Sequence, residues 1–429
     1  MIWFMSFWWD QLGGLRRTRD PLGAPLDCDV AIVGGGYTGL WTALELRRAD
    51  PSLDVVVLER EACGFGASGR NGGWLVGDIA GHPSPALMAA VRSAVDEAAA
   101  AIAREAIDCD LVMGGTLSVA TDDVNAARVR SEEPGEWLDS EALAQRVRVA
   151  GARGAVFDPV CARIQPAKLV RGLAGAAEHA GARIFEGTEV TAIEPQRART
   201  AAGDVRARWV VRATEGYTPG RAIAPISSSM IVTEPLLAGA WEAIGWDGAE
   251  TMMSSAHAYC YLQRTADGRI AIGGRGTPYR WGGANRAMER PDERTIASLR
   301  ARLDALFPEV RDVPTAAAWT GVLGVARDWT PAVRADPATG LAFAGGYVGE
   351  GVAAANLAGR TLRDLVLGRD TELTRLDWVG HTSPRWEPDP LRWIGIRAVY
   401  ALYRAADRRE PRTGRPSRFA WLGDRLAGR

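Results

Sequence analysis

The sequence of 429 residues contains one lysine, Lys168, among its 51 basic residues. A mechanism that needs a catalytic lysine therefore has a single candidate. Cysteines are also scarce and scattered, and no two of them form a C-x-x-C pair. They are Cys28, Cys63, Cys109, Cys161 and Cys260. Their odd number and wide spacing argue against a disulfide framework and a thiolate metal site, so we expect no metal and a reducing, cytoplasmic location.

Neither charge sign is in surplus, since 51 basic residues meet 52 acidic ones for a net charge of −1. Nucleic-acid binding generally needs a basic bias, so we expect no nucleic-acid partner. No run of 18 apolar residues occurs, which argues against a transmembrane helix. At about 150 residues per domain, the length predicts two or three globular domains.

Glycine is abundant, with 49 residues, and it clusters near the N-terminus. The apolar run 29–33 is followed by residues 34–39, which read G-x-G-x-x-G. A helical pattern continues over residues 40–49, and the second apolar run, 54–58, ends at Glu59. The order of strand, glycine loop, helix, strand and acid predicts a Rossmann-like dinucleotide-binding site.

Each part of this motif has a physical role. Gly34 makes the tight turn, Gly36 lets backbone approach a pyrophosphate, and Gly39 lets helix and strand pack closely. The helix N-terminus presents N–H groups and partial positive charge to the phosphates. Glu59 is placed to accept hydrogen bonds from a ribose.

A second glycine-rich loop, residues 64–73, begins five residues after Glu59. Its small residues would let backbone lie against a planar ligand, and Ser68, Arg70 and Asn71 supply polar contacts. A flexible surface loop is the alternative interpretation. The position of the first motif near the N-terminus favours FAD over NAD.

Together these residues resemble the FAD-dependent oxidoreductases of the D-amino-acid oxidase superfamily, and particularly the gamma-glutamylputrescine oxidase-like branch. The resemblance rests on residues 7–10 (FWWD), 33–40 (VGGGYTGL) and 66–73 (GASGRNGG). It spans roughly residues 6–368, and its N-terminal and closing motifs are specific to the superfamily, whereas the middle segments match more loosely. Further similar segments are residues 164–170, 181–190, 210–217, 319–331 and 343–352.

The resemblance implies an α/β fold (α+β overall) with a Rossmann-like FAD-binding domain interleaved with an antiparallel-sheet substrate domain. The expected division is an N-terminal aromatic arm (1–25), a FAD-binding domain (26–85, 150–225 and 320–370), a substrate domain (86–149 and 226–319) and a basic, helical C-terminal arm (371–429).

It also implies the contacts to FAD. The expected cofactor-binding residues are Gly34, Gly36, Tyr37, Thr38, Gly39, Glu59, Arg60, Ala67, Ser68, Arg70, Asn71, Gly72, Gly73, Val190, Gly346, Gly349, Glu350, Gly351 and Val352. Relatives with covalent flavin use a cysteine near the W-x-G segment or a histidine near the first glycine loops. Cys260 and His82 lie elsewhere, so we expect non-covalent FAD.

The sequence departs from the family pattern at four positions. Glu215 replaces the usual Asn of an ATNGY segment, and Glu350 replaces the His of a G-H-G closing loop. Leu323 stands where glycine oxidase-like members carry an arginine that holds the substrate carboxylate. Lys168 falls in a structural helix, so no oxygen-activating lysine is evident. The electron acceptor therefore stays open between O2 and another molecule.

The family implies oxidation of the C–N bond of an amine. A hydride passes to flavin N5, and the resulting imine hydrolyses to an aldehyde or ketone. Hydride leaves readily only from a neutral amine, so the site must lower the amine's pKa or accept its proton.

Four residues are candidates for this chemistry. Tyr259 and Tyr261 share one side of a strand and would cage an ammonium, or merely line a sheet. His257 lies on the same face and would act as a base, or merely form hydrogen bonds. Glu350 would bind the ammonium, or cap a helix that begins near Val352.

Two alternatives keep the cofactor but change the role. The first is an amino-acid oxidase or dehydrogenase of the glycine or D-amino acid type, or an enzyme acting on a modified nucleoside. Its marker would be a pocket arginine, for which Arg275, Arg280 and Arg327 are available. The second is a flavin-binding protein without turnover.

The two ends of the chain carry distinct patterns. The N-terminal cluster of Trp3, Phe4, Phe7, Trp8 and Trp9 favours packing over a neighbouring domain rather than contact with a membrane.

The last 39 residues hold ten arginines against Asp407, Glu410 and Asp424, a net charge of +7. They predict a basic amphipathic helix that docks on an acidic part of its own chain, or alternatively makes peripheral contact with a membrane or a partner. Residues 408–418 are expected to be a flexible tail.

Overall fold

The computed structural model describes residues 6–283 and 290–428. Within them, eight strands form a first sheet: β1 (Leu26–Val33), β2 (Val55–Leu58), β8 (Arg183–Phe185), β9 (Val190–Glu194), β10 (Arg197–Thr200), β11 (Gly203–Arg212), β17 (Ala332–Asp336) and β18 (Leu341–Gly345). The order is β17-β18-β11-β1-β2-β8, with β10 and β9 attached beside β11. The four contacts from β18 to β8 are parallel. The apolar runs therefore form the buried centre of a parallel sheet, as continuous apolar strands do.

A second sheet of eight described strands is largely antiparallel: β4 (Thr116–Ala120), β5 (Glu136–Asp139), β6 (Gly154–Asp158), β12 (Ile223–Thr233), β13 (Thr251–Ser254), β14 (Cys260–Arg264), β15 (Ile270–Gly274) and β16 (Thr315–Ala326). Its order is β16-β12-β15-β14-β13-β4-β6-β5. A two-stranded sheet pairs β3 (Trp74–Val76) with β7 (Cys161–Arg163).

Helices cover the sheets and form the C-terminal arm. Those of the described residues are α1 (Phe7–Asp10), α2 (Tyr37–Ala49), α3 (Pro85–Arg104), α4 (Asp123–Glu132), α5 (Ser140–Ala144), α6 (Pro166–His179), α7 (Ala238–Ile244), α8 (Glu293–Leu306), α9 (Gly351–Val366), α10 (Leu391–Thr413) and α11 (Arg418–Ala427). The expected α/β architecture, with a Rossmann-like sheet, an antiparallel sheet and C-terminal helices, is confirmed.

The strand pairing differs from the expected domain boundaries at two places. β6 lies within residues 150–225, yet it pairs with β4 and β5 of the antiparallel sheet. β16 crosses the expected boundary at residue 320 and pairs with β12 along its length. The W-x-G segment thus belongs to the second sheet, because β16 continues across the expected boundary between the substrate domain and the FAD-binding domain.

The described part of the aromatic N-terminal arm packs on its own chain, as expected; Trp3 and Phe4 lie outside the described residues. Trp8 is 1 % exposed, and its indole Nε1 donates to the Asn71 carbonyl at 2.9 Å. Its ring meets the Trp319 ring edge-on at 5.8 Å. Ser6 Oγ donates to the Gly69 carbonyl at 2.7 Å. The arm therefore supports the second glycine loop.

The described helices of the C-terminal arm form ion pairs with the rest of the chain through carboxylates rather than through arginines. Residues 408–413 continue α10, so the expectation of a flexible tail over residues 408–418 is wrong there. The arm meets the body through carboxylates: Asp407 accepts from the His257 N–H at 2.8 Å, and Glu410 lies 3.0 Å from the His257 ring nitrogen Nε2. Among the described arginines of α10 and α11, only Arg392 pairs with a carboxylate, and that carboxylate, Asp389, belongs to the arm itself.

Across the described ranges, no helix is both long and apolar enough to cross a membrane. The same residues contain no cluster of three or more histidines, cysteines or carboxylates that could hold a metal. All five cysteines are free.

Replacement of Trp8 by alanine should lower the free energy of unfolding by about 3–5 kcal/mol, because it empties a buried indole site and removes the bond to Asn71. Urea denaturation checks this result. The matched control is Trp421→Ala, whose side chain is 60 % exposed and which should change stability by less than about 0.5 kcal/mol. Equal losses in both variants would contradict the supporting role of the arm.

Candidate cofactor and active site

A cavity of about 650 Å³ opens at the carboxyl ends of the parallel strands β1, β2 and β11. Val33 and Gly34, Leu58 and Glu59, and Arg212 and Ala213 follow these strand ends into its wall. Open parallel sheets bind their ligands at this edge. The fold therefore places the two glycine loops around a ligand-sized space.

The first loop requires glycine at two positions. Gly34 has a φ of +114°, and a Cβ there would lie 2.4 Å from the Ala213 carbonyl oxygen. A Cβ at Gly39 would lie 2.0 Å from the Gly34 carbonyl oxygen. The loop therefore passes between β11 and α2 only as bare backbone, which leaves the N-terminus of α2 facing the cavity.

Glu59 shapes this loop as well as lining the cavity. Its Oε2 accepts from the Gly35 N–H at 2.7 Å, and its Oε1 accepts from the Glu61 N–H at 2.8 Å. Burial raises the pKa of the Glu59 carboxyl, and the two backbone bonds oppose that rise. The acid of the motif therefore fixes the turn beside which a ribose would lie.

The second glycine loop is folded rather than a flexible surface loop. A 3-10 turn spans Ala67–Gly69. The Asn71 amide donates to the Ala67 and Ser68 carbonyls at 3.1 and 3.0 Å, and its Oδ1 accepts from the Gly73 N–H at 2.8 Å. Ser68 Oγ accepts from the Tyr37 N–H at 2.9 Å, which joins this loop to the start of α2.

Most of the expected cofactor-binding residues line the cavity. They are Gly34, Gly36, Tyr37, Thr38, Glu59, Arg60, Ala67, Ser68, Asn71, Val190, Gly349, Gly351 and Val352. Bare glycine backbone, a helix N-terminus and a wall acid fit the phosphates and ribose of FAD. Their contact with FAD stays a proposal.

The other expected cofactor-binding residues are not part of the cavity wall. They are Gly39, Arg70, Gly72, Gly73, Gly346 and Glu350. Arg70 is 1 % exposed, its Nε donates to the Phe65 carbonyl at 2.8 Å, and its own carbonyl accepts from the Trp319 indole at 2.9 Å. A Cβ at Gly72 would lie 2.8 Å from the Tyr261 ring. Arg70 and Gly72 thus support the second loop from behind.

Glu215 departs from the family pattern, and the sequence by itself indicates no role for it. It lines the cavity with a φ of +43°. Its Oε2 accepts from the Gly346 N–H at 2.8 Å and its Oε1 from the Tyr347 N–H at 3.2 Å. Burial raises the pKa of Glu215 to about 7, although hydrogen bonds from backbone N–H groups oppose that rise. This carboxylate therefore fastens the closing loop to the end of β11.

Other residues of the cavity wall were also missed, because only tertiary folding brings them there. They include Phe65, Arg212, Thr214, Tyr217, Val322 and Tyr347. The Arg60 guanidinium lies over the Tyr217 ring, with its Cζ atom 5.5 Å from the centroid of that ring. In the sequence, the Gly-Tyr pair at the end of segment 210–217 is the one feature that could have indicated a place for Tyr217 in the cavity wall.

The candidate catalytic tyrosines lie next to each other. Their ring centroids are 6.5 Å apart with an interplanar angle of 53°. Tyr261 packs against Gly72 of the second loop, and its hydroxyl lies 3.0 Å from Ser228 Oγ. Tyr259 precedes β14, which begins at Cys260. The pair forms an aromatic wall on the substrate-sheet side of the second loop, outside the cavity lining.

His257 does not share a strand face with these tyrosines. The chain turns between β13 and β14, and His257 lies in that turn. Its Nε2 is 3.0 Å from Glu410 Oε1 and 2.7 Å from an Arg128 nitrogen, and its ring stacks 5.9 Å from Tyr403. His257 is therefore a docking residue for the C-terminal arm, and we withdraw it as a candidate base.

Glu350 stands at the N-cap of α9, but its side chain accepts no capping hydrogen bond. It neighbours Arg275, which follows β15. The Arg275 Nη2 donates to the Val348 carbonyl at 3.2 Å, and its buried Nη1 has no hydrogen-bond partner among the described residues. Burial by itself lowers the pKa of Arg275, but the surrounding tyrosines and Glu350 raise it overall. Arg275 therefore stays cationic beside the closing loop.

The remaining cationic candidates lie elsewhere. Arg327 binds Glu387 at 3.1 Å and donates to the Ala427 carbonyl at 3.1 Å. Arg280 lies near Asp292, whose pKa it helps to lower. Lys168 Nζ donates to Asp110 at 2.6 Å, so the single lysine of the chain is engaged outside the cavity.

The comparison with known families agrees with this geometry. The profile of the family described as "FAD dependent oxidoreductase" (DAO) matches residues 29–365. The chain therefore belongs to this family, and it is an FAD-dependent oxidoreductase related to enzymes that act on amines or amino acids.

Individual relatives cover most of the chain. It is 32% identical to the gamma-glutamylputrescine oxidoreductase of Escherichia coli (strain K12) over 391 residues, 81% of this chain and 86% of that protein. It is 28% identical to the glycine oxidase of Geobacillus kaustophilus (strain HTA426) over 374 residues, 80% of this chain and 94% of that protein. The crystal structure of glycine oxidase from Geobacillus kaustophilus superposes with a TM-score of 0.72 at 23% identity, covering 84% of this chain and all of that one.

Gly34→Ala should abolish retention of FAD during purification, because the added methyl group meets the Ala213 carbonyl at 2.4 Å in a backbone conformation that disfavours alanine. Flavin absorbance per chain measures the effect. Gly175→Ala is the matched control, since a Cβ there meets nothing within 4 Å. It should retain FAD fully, and equal retention by both variants would contradict the described approach of loop and strand.

Glu215→Gln should change how stability depends on pH. The pKa of Glu215 in the folded protein, about 7, exceeds the ordinary value of 4.5. Its carboxyl therefore lowers the free energy of unfolding of the FAD-free protein as pH rises between those values. Relative to wild type, the variant should therefore gain about 1–3 kcal/mol between about pH 5 and about pH 8. Urea denaturation at both pH values measures this difference. If the free energies of unfolding of the two proteins depended on pH in the same way, the raised pKa of a buried Glu215 would be contradicted.

Proposed function

We propose that the chain oxidises the C–N bond of an amine with FAD, and that the imine formed hydrolyses to an aldehyde or ketone. One observation carries the proposal: the inner cavity wall at Leu323 and Gly349 adjoins the Arg275 side chain, which neighbours Tyr259 and Tyr261. The space for a cofactor thus borders the substrate sheet. The names of two relatives, gamma-glutamylputrescine oxidoreductase and glycine oxidase, support a nitrogen-bearing substrate.

The wall residues divide the work of holding FAD. The N-terminus of α2 and Ser68 would hold the pyrophosphate, Glu59 the ribose, and Val190 the adenine. Leu323 and the loop that starts α9 would border the isoalloxazine ring. When bound, FAD supplies the acceptor for a hydride from the carbon next to nitrogen.

The flavin is held without a covalent bond in this proposal. No cysteine or histidine lines the cavity within the described residues. Cys63 comes close to the first loop, since its Sγ would lie 2.8 Å from a Cβ at Gly35. Burial raises the pKa of that thiol well above its ordinary value. Cys63 therefore stays protonated behind the loop and is a poor nucleophile.

The substrate side must keep the amine neutral. Apolar side chains such as Val322 and Leu323 disfavour an ammonium in the wall of the cavity. The tyrosine wall offers π-faces to the cation as it arrives. Glu350, which lies beside Arg275, would receive the amine's proton.

The second candidate, an amino-acid oxidoreductase, is favoured by Arg275. Gly349 lies between two side chains: a Cβ there would be 3.4 Å from Leu323 Cδ1 and 3.7 Å from Arg275 Nη2. Arg275, just after β15, thus comes close to Leu323, which stands where glycine oxidase-like members carry the arginine that holds the substrate carboxylate. Its buried Nη1 has no hydrogen-bond partner among the described residues, and a substrate carboxylate would satisfy it.

Anaerobic reduction of the bound flavin tests both candidates. We expect a panel of primary and secondary amines to bleach the flavin, with a carboxylate-bearing amine faster than its plain analogue. Arg275→Met should lower the reduction rate at limiting substrate about 10- to 100-fold for the carboxylate-bearing amine, because a charged hydrogen bond is lost. Plain amines should change little.

Arg327→Met is the matched control, because that arginine serves Glu387 and the C-terminal arm. Bleaching that favours plain amines and ignores Arg275 would exclude the amino-acid candidate and leave the amine one. A flavin that no amine or amino acid bleaches would exclude both and point to binding without turnover.

A further inference from the structure

The last helix, α11, docks through its smallest residues. Ala420, Gly423 and Ala427 are buried, and a Cβ at Gly423 would lie 2.7 Å from the Tyr403 ring of α10. Asp424 accepts from the Tyr403 hydroxyl at 2.8 Å. The helix therefore lies close against α10, and the face that it buries carries only alanine and glycine.

The body of the protein fixes the end of this helix. Arg327 Nη1 and the Trp329 indole both donate to the Ala427 carbonyl at 3.1 Å. These donors satisfy a C-terminal carbonyl that the helix itself leaves open. The orientation of α11 is thus set by two bonds from the loop that follows β16, the strand that carries Val322 and Leu323 of the cavity wall.

This orientation turns the large apolar side chains of α11 outward. Phe419, Trp421, Leu422 and Leu426 are exposed, Trp421 by 60 %. Leu391 and Ile394 are exposed at the start of α10. A surface helix normally buries its large apolar residues, so this reversed arrangement marks an interaction surface.

The charges of the two helices are sorted in the same way. All three carboxylates are engaged: Asp407 and Glu410 at His257, and Asp424 at Tyr403. Eight arginines are exposed and make no ion pair with any described carboxylate. They are Arg397, Arg404, Arg408, Arg409, Arg412, Arg415, Arg418 and Arg425. The outer surface therefore presents cationic side chains around exposed aromatic and aliphatic ones.

We propose that this surface, α10 with α11, binds the headgroup region of an anionic lipid membrane, with the apolar side of α11 inserted. Aromatic and leucine side chains flanked by arginines are what an interfacial helix needs, and anionic lipids attract each exposed arginine. A second copy of the chain fits poorly, because two surfaces of like charge repel. The surface lies outside the family match, which ends at residue 365.

The test uses the full chain with its flavin. We expect it to co-sediment with phosphatidylcholine vesicles that contain phosphatidylglycerol, at least about tenfold more strongly than with pure phosphatidylcholine, and to be released by high salt. Trp421→Glu should lower binding to the anionic vesicles at least about tenfold. Leu237→Glu is its control, since Leu237 is exposed by 82 % on the substrate domain.

A second pair of variants separates charge from structure. Arg418→Gln with Arg425→Gln should weaken binding to anionic vesicles, whereas Arg311→Gln, at an exposed arginine elsewhere, should not. Flavin content should be unchanged throughout.

Three results would overturn the proposal. They are no binding to anionic vesicles at low salt, wild-type binding by Trp421→Glu, and a lipid-free dimer that Trp421→Glu dissociates. Binding to polyglutamate beads that matches vesicle binding, with no effect of Trp421→Glu, would also overturn it in favour of an acidic protein partner.

Discussion

Hydrogen bonds from backbone N–H groups to two glutamates fix the loops on either side of the cavity. Glu59 holds the first glycine loop through Gly35, and Glu215 holds the closing loop through Gly346 and Tyr347. Loops rich in glycine have little side-chain packing of their own, and their buried N–H groups need acceptors. The shape of the cofactor site therefore depends on these carboxylates, and their desolvation is the energetic cost of keeping backbone open to a ligand.

The second sheet completes the same construction from the opposite side. The Trp319 indole of β16 donates to the Arg70 carbonyl, and the Gln263 amide of β14 donates to the Gly72 carbonyl at 2.6 Å. The second glycine loop is thus held by strands of the antiparallel sheet. A substrate that contacts that sheet would therefore lie against a loop whose other side faces the cofactor space.

Sequence alone predicted the features that depend on local order. The G-x-G-x-x-G loop, its flanking strands and Glu59 are neighbours in the chain, so spacing sufficed to place them. Long-range contacts were less accessible. The role of Glu215 depends on a loop 131 residues away, and His257 meets Glu410 across 153 residues. No periodicity signals such pairs. The period of two therefore places His257 wrongly on a strand face, and the sequence offers Arg275 only as one of three arginines.

The central claim, that the cavity holds non-covalent FAD, is tested most directly by measuring flavin in the purified protein before and after denaturation. We expect one FAD for each chain, all of it released into solution when the protein is denatured and pelleted. Colour that stays with the pellet would contradict non-covalent binding. A colourless protein that takes up no added FAD would contradict the cofactor site itself.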